Sequence, residues 1–168
     1  MPTSIQTDSQ ITLRPIVDSD LEFLRQLYIT TRNDIASAPF SNEEKDLLFN
    51  HQFNAQHTYY QHVFPDANFD IVLLGNTRIG RIYVDYGLSE VRVIDISILP
   101  EFRGRGFGTE LLHAVLDRAA KDETPVRLRV EPNSPALKLY TRLGFRKIAD
   151  EQVNWHLERN STEDIRNQ

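Results

Sequence analysis

A chain of 168 residues, 40% hydrophobic and 26% charged, suits one soluble globular domain with a core of its own. It has no cysteine, which excludes disulfides, a thiolate nucleophile and cysteine-ligated zinc. The net charge of −5 divides into −6 over residues 1–100, +4 over 101–147 and −3 over 148–168, so a polyanion suits the middle block and nucleic acid is not an expected partner.

In chain order, residues 1–10 read as a flexible start without periodicity. Ile11 to Pro15 alternates as a first strand does. Asp18-Ser19-Asp20 offers N-cap chemistry for a helix with Leu21, Leu24, Leu27 and Tyr28 on one face. A second helix starts at Ser41, whose pairing with Glu44 predicts a capping box, and Pro65 closes it. Strands follow at Phe69–Leu74 and Arg78–Tyr86, joined by the hairpin loop Gly75-Asn76-Thr77. In the next strand, Glu90–Leu99, the apolar register shifts from Val91 and Val93 to Ile94, Ile96 and Ile98. Burial on both faces would explain the shift, and so would a β-bulge. Then come a helix over roughly Gly108–Lys121, a strand at Val126–Val130, a helix after Asn133, and strands at Phe145–Ile148 and Gln152–Glu158. Residues 161–168 read as a polar tail, which leaves 11–160 as a single domain. The opening residues show no basic start or apolar run, and no stretch approaches membrane-spanning length. A cytoplasmic protein without a membrane partner is expected. The histidines at 51, 57, 62, 113 and 156 show no metal-ligand spacing, so no metal is expected.

The most informative stretch is Pro100-Glu101-Phe102-Arg103-Gly104-Arg105-Gly106-Phe107-Gly108-Thr109. A strand runs into it and an amphipathic helix runs out. Three alternate glycines allow close backbone approach, and the helix start aims free N–H groups and partial positive charge at whatever lies there. Arg103 and Arg105 add full charges, which makes the segment an anion cradle, best suited to a pyrophosphate. No lysine follows the last glycine, so it is not a P-loop; the glycine spacing also excludes a dinucleotide fingerprint. Downstream, Asn133-Ser134-Pro135-Ala136-Leu137-Lys138-Leu139-Tyr140-Thr141-Arg142-Leu143-Gly144-Phe145 reads as a short helix. Asn133 or Ser134 caps it, Pro135 lies in its first turn and Gly144 ends it in a left-handed conformation.

Together these segments resemble the GNAT superfamily of N-acetyltransferases. Arg103, Gly106 and Gly108 match its Arg-x-x-Gly-x-Gly acyl-coenzyme A signature, and Asn133 to Phe145 matches its Asn-x-x-Ala-x-x-Leu-Tyr-x-x-x-Gly-Phe segment at each named position. The resemblance is specific from about Val93 to Ile148 and architectural before that. It implies an α/β (α+β) fold: a mixed, mostly antiparallel sheet, splayed between strands 4 and 5 and flanked by helices, with coenzyme A in the opening. It further implies acetyl-coenzyme A as co-substrate and a primary amine of a small molecule or peptide as acceptor, attacked directly. The coenzyme's arm would lie along Ile96, Ser97 and Ile98, its pyrophosphate on Arg103, Gly104, Arg105, Gly106, Phe107, Gly108 and Thr109. Asn133, Ala136 and Tyr140 would complete the cofactor site, with Tyr140 the acid that protonates the departing sulfur. Taken alone, Tyr140 also reads as a core tyrosine on the helix's apolar face.

The base is left open among Asp95, Asp85 and Glu131, with Asp95 placed first because it sits on the fourth strand near the splay. Each also reads as an ordinary solvated carboxylate. Gln52, Gln56, His57 and Tyr60, with Asp85, are the candidate acceptor-binding residues, because the second helix borders the acceptor site in this fold. A noncatalytic acyl-coenzyme A sensor and an enzyme using a longer acyl group are the alternatives. The aromatic second helix or the last strands could supply a homodimer face.

Overall fold

Residues 11–160 are described by a computed structural model; the expected flexible start and polar tail lie outside the described residues. The alternating start forms β1 (Ile11–Pro15), which pairs antiparallel with β2 (Asn68–Leu74) from Ile11↔Leu74 to Pro15↔Asp70. Between them lie α1 (Leu21–Ile29), a short α2 (Asn33–Ala36) and the long α3 (Asn42–Val63). β3 (Thr77–Tyr86) and β4 (Val91–Ile98) follow, then α4 (Phe107–Lys121), β5 (Val126–Val130), α5 (Ala136–Arg142), β6 (Arg146–Glu151) and β7 (Asn154–Arg159). The seven strands of the described residues form one mixed sheet in the order β1-β2-β3-β4-β5-β7-β6, with β4 and β5 parallel and β7 antiparallel to both β5 and β6. This is the fold class expected from the sequence.

The chain divides into two compact units, whose described residues are 11–83 with 95–107 and 84–94 with 108–160. In the first, α1, α3 and β2 bury Leu24, Tyr28, Phe53 and Ile71, the Tyr28 and Phe53 rings meeting at 5.8 Å. The apolar positions of α1 recur every three or four residues, which is why one helix face can serve a core. α3 begins as its sequence predicts. Ser41 Oγ accepts the Glu44 N–H at 3.1 Å, and Glu44 Oε2 accepts the Ser41 N–H at 2.8 Å. In the second unit, Leu111, Leu112, Val115, Leu116 and Ala119 of α4 are buried at helical spacing, as are Val126, Leu128 and Val130 at strand spacing.

The parallel ladder between β4 and β5 comprises Val91↔Val126, Arg92↔Arg127 and Val93↔Leu128. It ends where the apolar register of β4 shifts. Val91 and Val93 are fully buried, whereas Ile94 through Ile98 are all half-buried.

Three local expectations need correction. Asp18–Asp20 forms a 3-10 turn rather than a side-chain cap for α1, because Asp20 is drawn inward. Its carboxylate is 1% exposed and accepts from Arg14 Nη1 at 2.7 Å, Arg14 Nη2 at 2.9 Å, Arg78 Nη1 at 3.1 Å and the Val17 N–H at 2.9 Å. The last hairpin turns at Gln152 and Val153, two residues inside the strand expected from Gln152, with Gln152 at φ 61°. The short α2 was not expected, since four residues carry no readable periodicity.

Asp20 has a thermodynamic consequence. Hydrogen bonding from Arg14, the largest influence, outweighs burial, and with Val17 and Arg78 it holds the carboxyl well below the usual range. A group depressed in the folded state stabilises fully above its unfolded pKa of about 3.9 and loses that contribution as pH falls toward its folded value. Asp20→Asn should therefore cost about 2–3 kcal/mol at neutral pH. In thermal melts against pH, the gap from wild type should narrow below about pH 4; a gap independent of pH would contradict this.

Candidate functional site

The end of β4 leads into a 3-10 turn at Pro100–Phe102 and from there into the glycine–arginine turn. Backbone hydrogen bonds carry the chain as far as the Phe102 N–H to Leu99 O, at 2.9 Å, and the Arg103 N–H to Pro100 O, at 3.2 Å. Among the described residues, none is made by the N–H groups of Gly104, Arg105 or Gly106. The first N–H groups of α4 also have no partner within the helix. Gly104 and Gly106 lie at φ 73° and 86°, which L side chains rarely adopt, and a Cβ at either would meet no atom within 4 Å. The turn is thus an exposed row of donors, open on its outer face and closed by a helix start. That donor set fits a pyrophosphate.

Arg103 and Arg105 are less free than their sequence suggests. Arg103 Nε donates to Ile98 O at 2.8 Å and Nη2 to Thr30 Oγ1 at 3.3 Å, tying the turn to the end of β4. The Arg105 guanidinium stands 5.6 Å from the Phe102 ring and 5.2 Å from that of Phe107. Both side chains are exposed, so their charge still contributes to the local field. Behind them, Gly80 of β3 has a part no sequence spacing revealed. A Cβ there would lie 2.2 Å from Ser97 O and 2.8 Å from Ile98 Cδ1. Glycine lets β3 approach the backbone at Ser97 and Ile98.

In the second unit, Gly108 faces Leu139 of α5, whose Cδ2 would be 3.5 Å from an added Cβ. Thr109 Oγ1 accepts from Arg142 Nη2 at 3.4 Å. α5 opens after Pro135, with Ser134 Oγ accepting the Ala136 N–H at 3.2 Å, so Ser134 rather than Asn133 serves its start. Gly144, at φ 89°, ends it as expected. Asn133 instead lines an open groove of ≈ 630 Å³, with Pro132, Leu137, Lys138 and Arg142 among its other walls. Tyr140 is 7% exposed, its ring 5.8 Å from that of Phe145.

The family model described as "Acetyltransferase (GNAT) family" matches residues 22–145, well over half of the chain. The chain belongs to the GNAT acetyltransferase family. Over 95 residues it is 27% identical to an N-alpha-acetyltransferase of Saccharolobus solfataricus, a match covering 48% of this chain and 57% of the relative. Over 62 residues it is 45% identical to a mycothiol acetyltransferase of Corynebacterium aurimucosum, covering 36% and 20%. The chain therefore spans less than two thirds of the length of either curated relative. Its fold is similar to that of the PaiA N-acetyltransferase from Thermoplasma acidophilum, a structure solved in complex with coenzyme A. The TM-score is 0.67 at 20% identity, covering 89% of this chain and 98% of that one.

In this GNAT chain the candidate acceptor residues divide. Gln56 and Asp95 meet around a residue the sequence reading missed. Arg81, on β3 and 2% exposed, donates through Nη2 to Gln56 Oε1 at 2.8 Å and to Asp95 Oδ2. Burial works against the Arg81 charge, and Asp95 overcomes it. Ser97 Oγ donates to Asp95 Oδ1 at 2.8 Å, so both carboxylate oxygens already have partners. Tyr60 lies edge-on to Tyr83 at 6.1 Å, and burial, then the charge of Asp95, pushes its phenol well above the ordinary range. The other candidates have other neighbours or belong to the other unit. Gln52 Oε1 accepts from Arg32 Nη1, and His57 stacks 5.7 Å from Phe53, with burial and then Arg81 pushing its imidazole down. Asp85 falls in the second unit. The signal for Arg81 was present in the sequence as a charge inside an apolar strand. Among the described residues, no group of three His, Asp or Glu side chains could hold a metal ion, and no helix is long and apolar enough to cross a membrane.

Proposed function

We propose that this chain transfers the acetyl group of acetyl-coenzyme A to a primary amine, that of a peptide N-terminus or a small molecule, by direct attack of the amine. The observation that carries this reading is the row of open N–H donors from Gly104 to the start of α4, held in place by Arg103. The bound co-substrate supplies an activated thioester carbonyl. Backbone donors at the turn hold its pyrophosphate, and the half-buried edge at Ile96, Ser97 and Ile98 offers N–H and C=O groups to its amide-bearing arm. Asn133 and Ala136 are assigned to the same co-substrate on the strength of the family segment that contains them, and Thr109 on its place beside Gly108 in the first turn of α4.

An amine must lose a proton before it can attack. Asp95 is the carboxylate we assign to the incoming ammonium. Each carboxylate oxygen has more than one lone-pair direction, so Asp95 can accept from the amine while keeping Arg81 and Ser97. Gln56 and Tyr60 are assigned to the acceptor's approach. Tyr140 is assigned the acid role toward the leaving sulfur. The N-alpha-acetyltransferase relative supports a peptide amine as acceptor, and the coenzyme A in the PaiA structure supports the co-substrate.

A panel of N-terminal peptides, amino acids and polyamines with acetyl-coenzyme A tests the reading, followed by free-thiol release and acceptor mass. Amine-dependent release is expected; coenzyme binding without turnover on any amine would replace the enzyme by a sensor. Tyr140→Phe is expected to lower kcat at least tenfold, about 1.4 kcal/mol of barrier, with coenzyme affinity nearly unchanged. Full kcat in a chemistry-limited assay would remove Tyr140 from the acid role.

A further inference from the structure

The buried guanidinium of Arg81 is not held for its own hydrogen bonding. By hydrogen-bond geometry Nε and Nη1 are buried and have no partner among the described residues, while burial pushes the Tyr83 phenol up and the Arg81 guanidinium beside it partly offsets that. One nitrogen, Nη2, makes both of its polar contacts, to Asp95 of β4 and Gln56 of α3. Its plane lies over the Tyr83 ring, 4.7 Å from the centroid. Such a group is a poor stabiliser, since replacing a buried ion pair by well-packed apolar residues is often neutral or favourable. What it does accomplish is geometric. Asp95 is 16% exposed and is held by Arg81 through Oδ2 and by Ser97 through Oδ1, while Gln56 is drawn to the same nitrogen.

We propose that Arg81 is the positioning residue of the acceptor site, a buried clamp that sets the Asp95 carboxylate and the Gln56 amide in one arrangement for the incoming amine. This rests on the acetyl-transfer reading and on Asp95 as the carboxylate that meets the ammonium. Arg81 itself touches neither substrate. The pyrophosphate turn is held by other contacts, since Arg103 is tied to Ile98 and Thr30 rather than to Arg81, Gln56 or Asp95.

The test compares Arg81→Met, Arg81→Lys, Asp95→Asn and the double variant Arg81→Met/Asp95→Asn. The readouts are amine KM, kcat, the acetyl-coenzyme A Kd by calorimetry, and Tm. Arg81→Met should raise amine KM or lower kcat by at least tenfold while the coenzyme Kd stays within twofold. Arg81→Lys keeps charge but not the planar fork, and should fall in between. The double variant should match Asp95→Asn within twofold in kcat/KM, because the clamp has nothing left to hold, and should melt at or above the wild-type temperature. Amine kinetics unchanged in folded Arg81→Met, or losses that multiply in the double variant, would overturn the assignment. Failure of the underlying reading looks different: the wild type itself would then release no thiol with any amine.

Discussion

Replacing Gly106 by alanine should raise the Kd for acetyl-coenzyme A at least tenfold, about 1.4 kcal/mol, and lower stability only modestly. The backbone at Gly106 sits at φ 86°, and a Cβ there would meet no protein atom within 4 Å. The folded chain therefore resists alanine through backbone strain alone, which amounts to about 1–2 kcal/mol for an L residue in the left-handed region. The larger loss falls on the ligand. The methyl would project from a row of N–H groups whose use requires close backbone approach by an anion, and strain would also turn those groups away from it. Gly108→Ala, at the second residue of α4, adds a methyl without that backbone strain. It has no left-handed φ, its methyl would meet Leu139 at an ordinary 3.5 Å, and it should leave Tm at or above wild type. Calorimetric Kd values beside thermal melts separate the two effects. A Gly106→Ala protein that melts lower yet binds the coenzyme as tightly as wild type would show that the turn is only a connection.

Gly80→Ala should cost more stability than either Gly106→Ala or Gly108→Ala. The new Cβ would lie 2.2 Å from Ser97 O, 2.8 Å from Ile98 Cδ1 and 3.1 Å from Ile98 Cα. The isoleucine methyl can rotate away, but a carbonyl oxygen within a strand cannot, so the β4 backbone must move. Overpacking of this kind costs about 3 kcal/mol. For a chain of this length that is a fall in Tm of about 6–12 °C. The displaced residues, Ser97 and Ile98, are those assigned to the coenzyme's arm, so KM for acetyl-coenzyme A should rise as well. An unchanged Tm would mean that β3 and β4 have room the structure does not show.

These two glycines illustrate what the sequence could and could not disclose. Gly106 was legible because its neighbours carry the message: a strand before it, a helix after it, and glycines and arginines at fixed offsets between. Gly80 was not, because its requirement comes from Ser97 and Ile98, seventeen and eighteen residues further along the chain. Asp20 misled for a related reason. Its local context reads as a helix cap, but Arg78, 58 residues away, and Arg14 draw it inward. Arg81 carried a signal, a charge in the run Ile79–Val84, yet its partners Gln56 and Asp95 lie on other elements, and only tertiary structure pairs them. The strands and helices themselves were recovered largely intact, because burial on one face imprints a period on the sequence. The hairpin between β6 and β7 was misplaced where that imprint is weakest: all six residues of β6 are exposed.

The most direct test of the anion cradle is calorimetric titration of acetyl-coenzyme A into the wild-type protein, with thermal melts at rising ligand concentration. Saturable one-to-one binding is expected, with a Tm that climbs as ligand exceeds its Kd. No heat and no rise in Tm at millimolar ligand would contradict the cradle, and with it the acetyl-transfer chemistry built upon it.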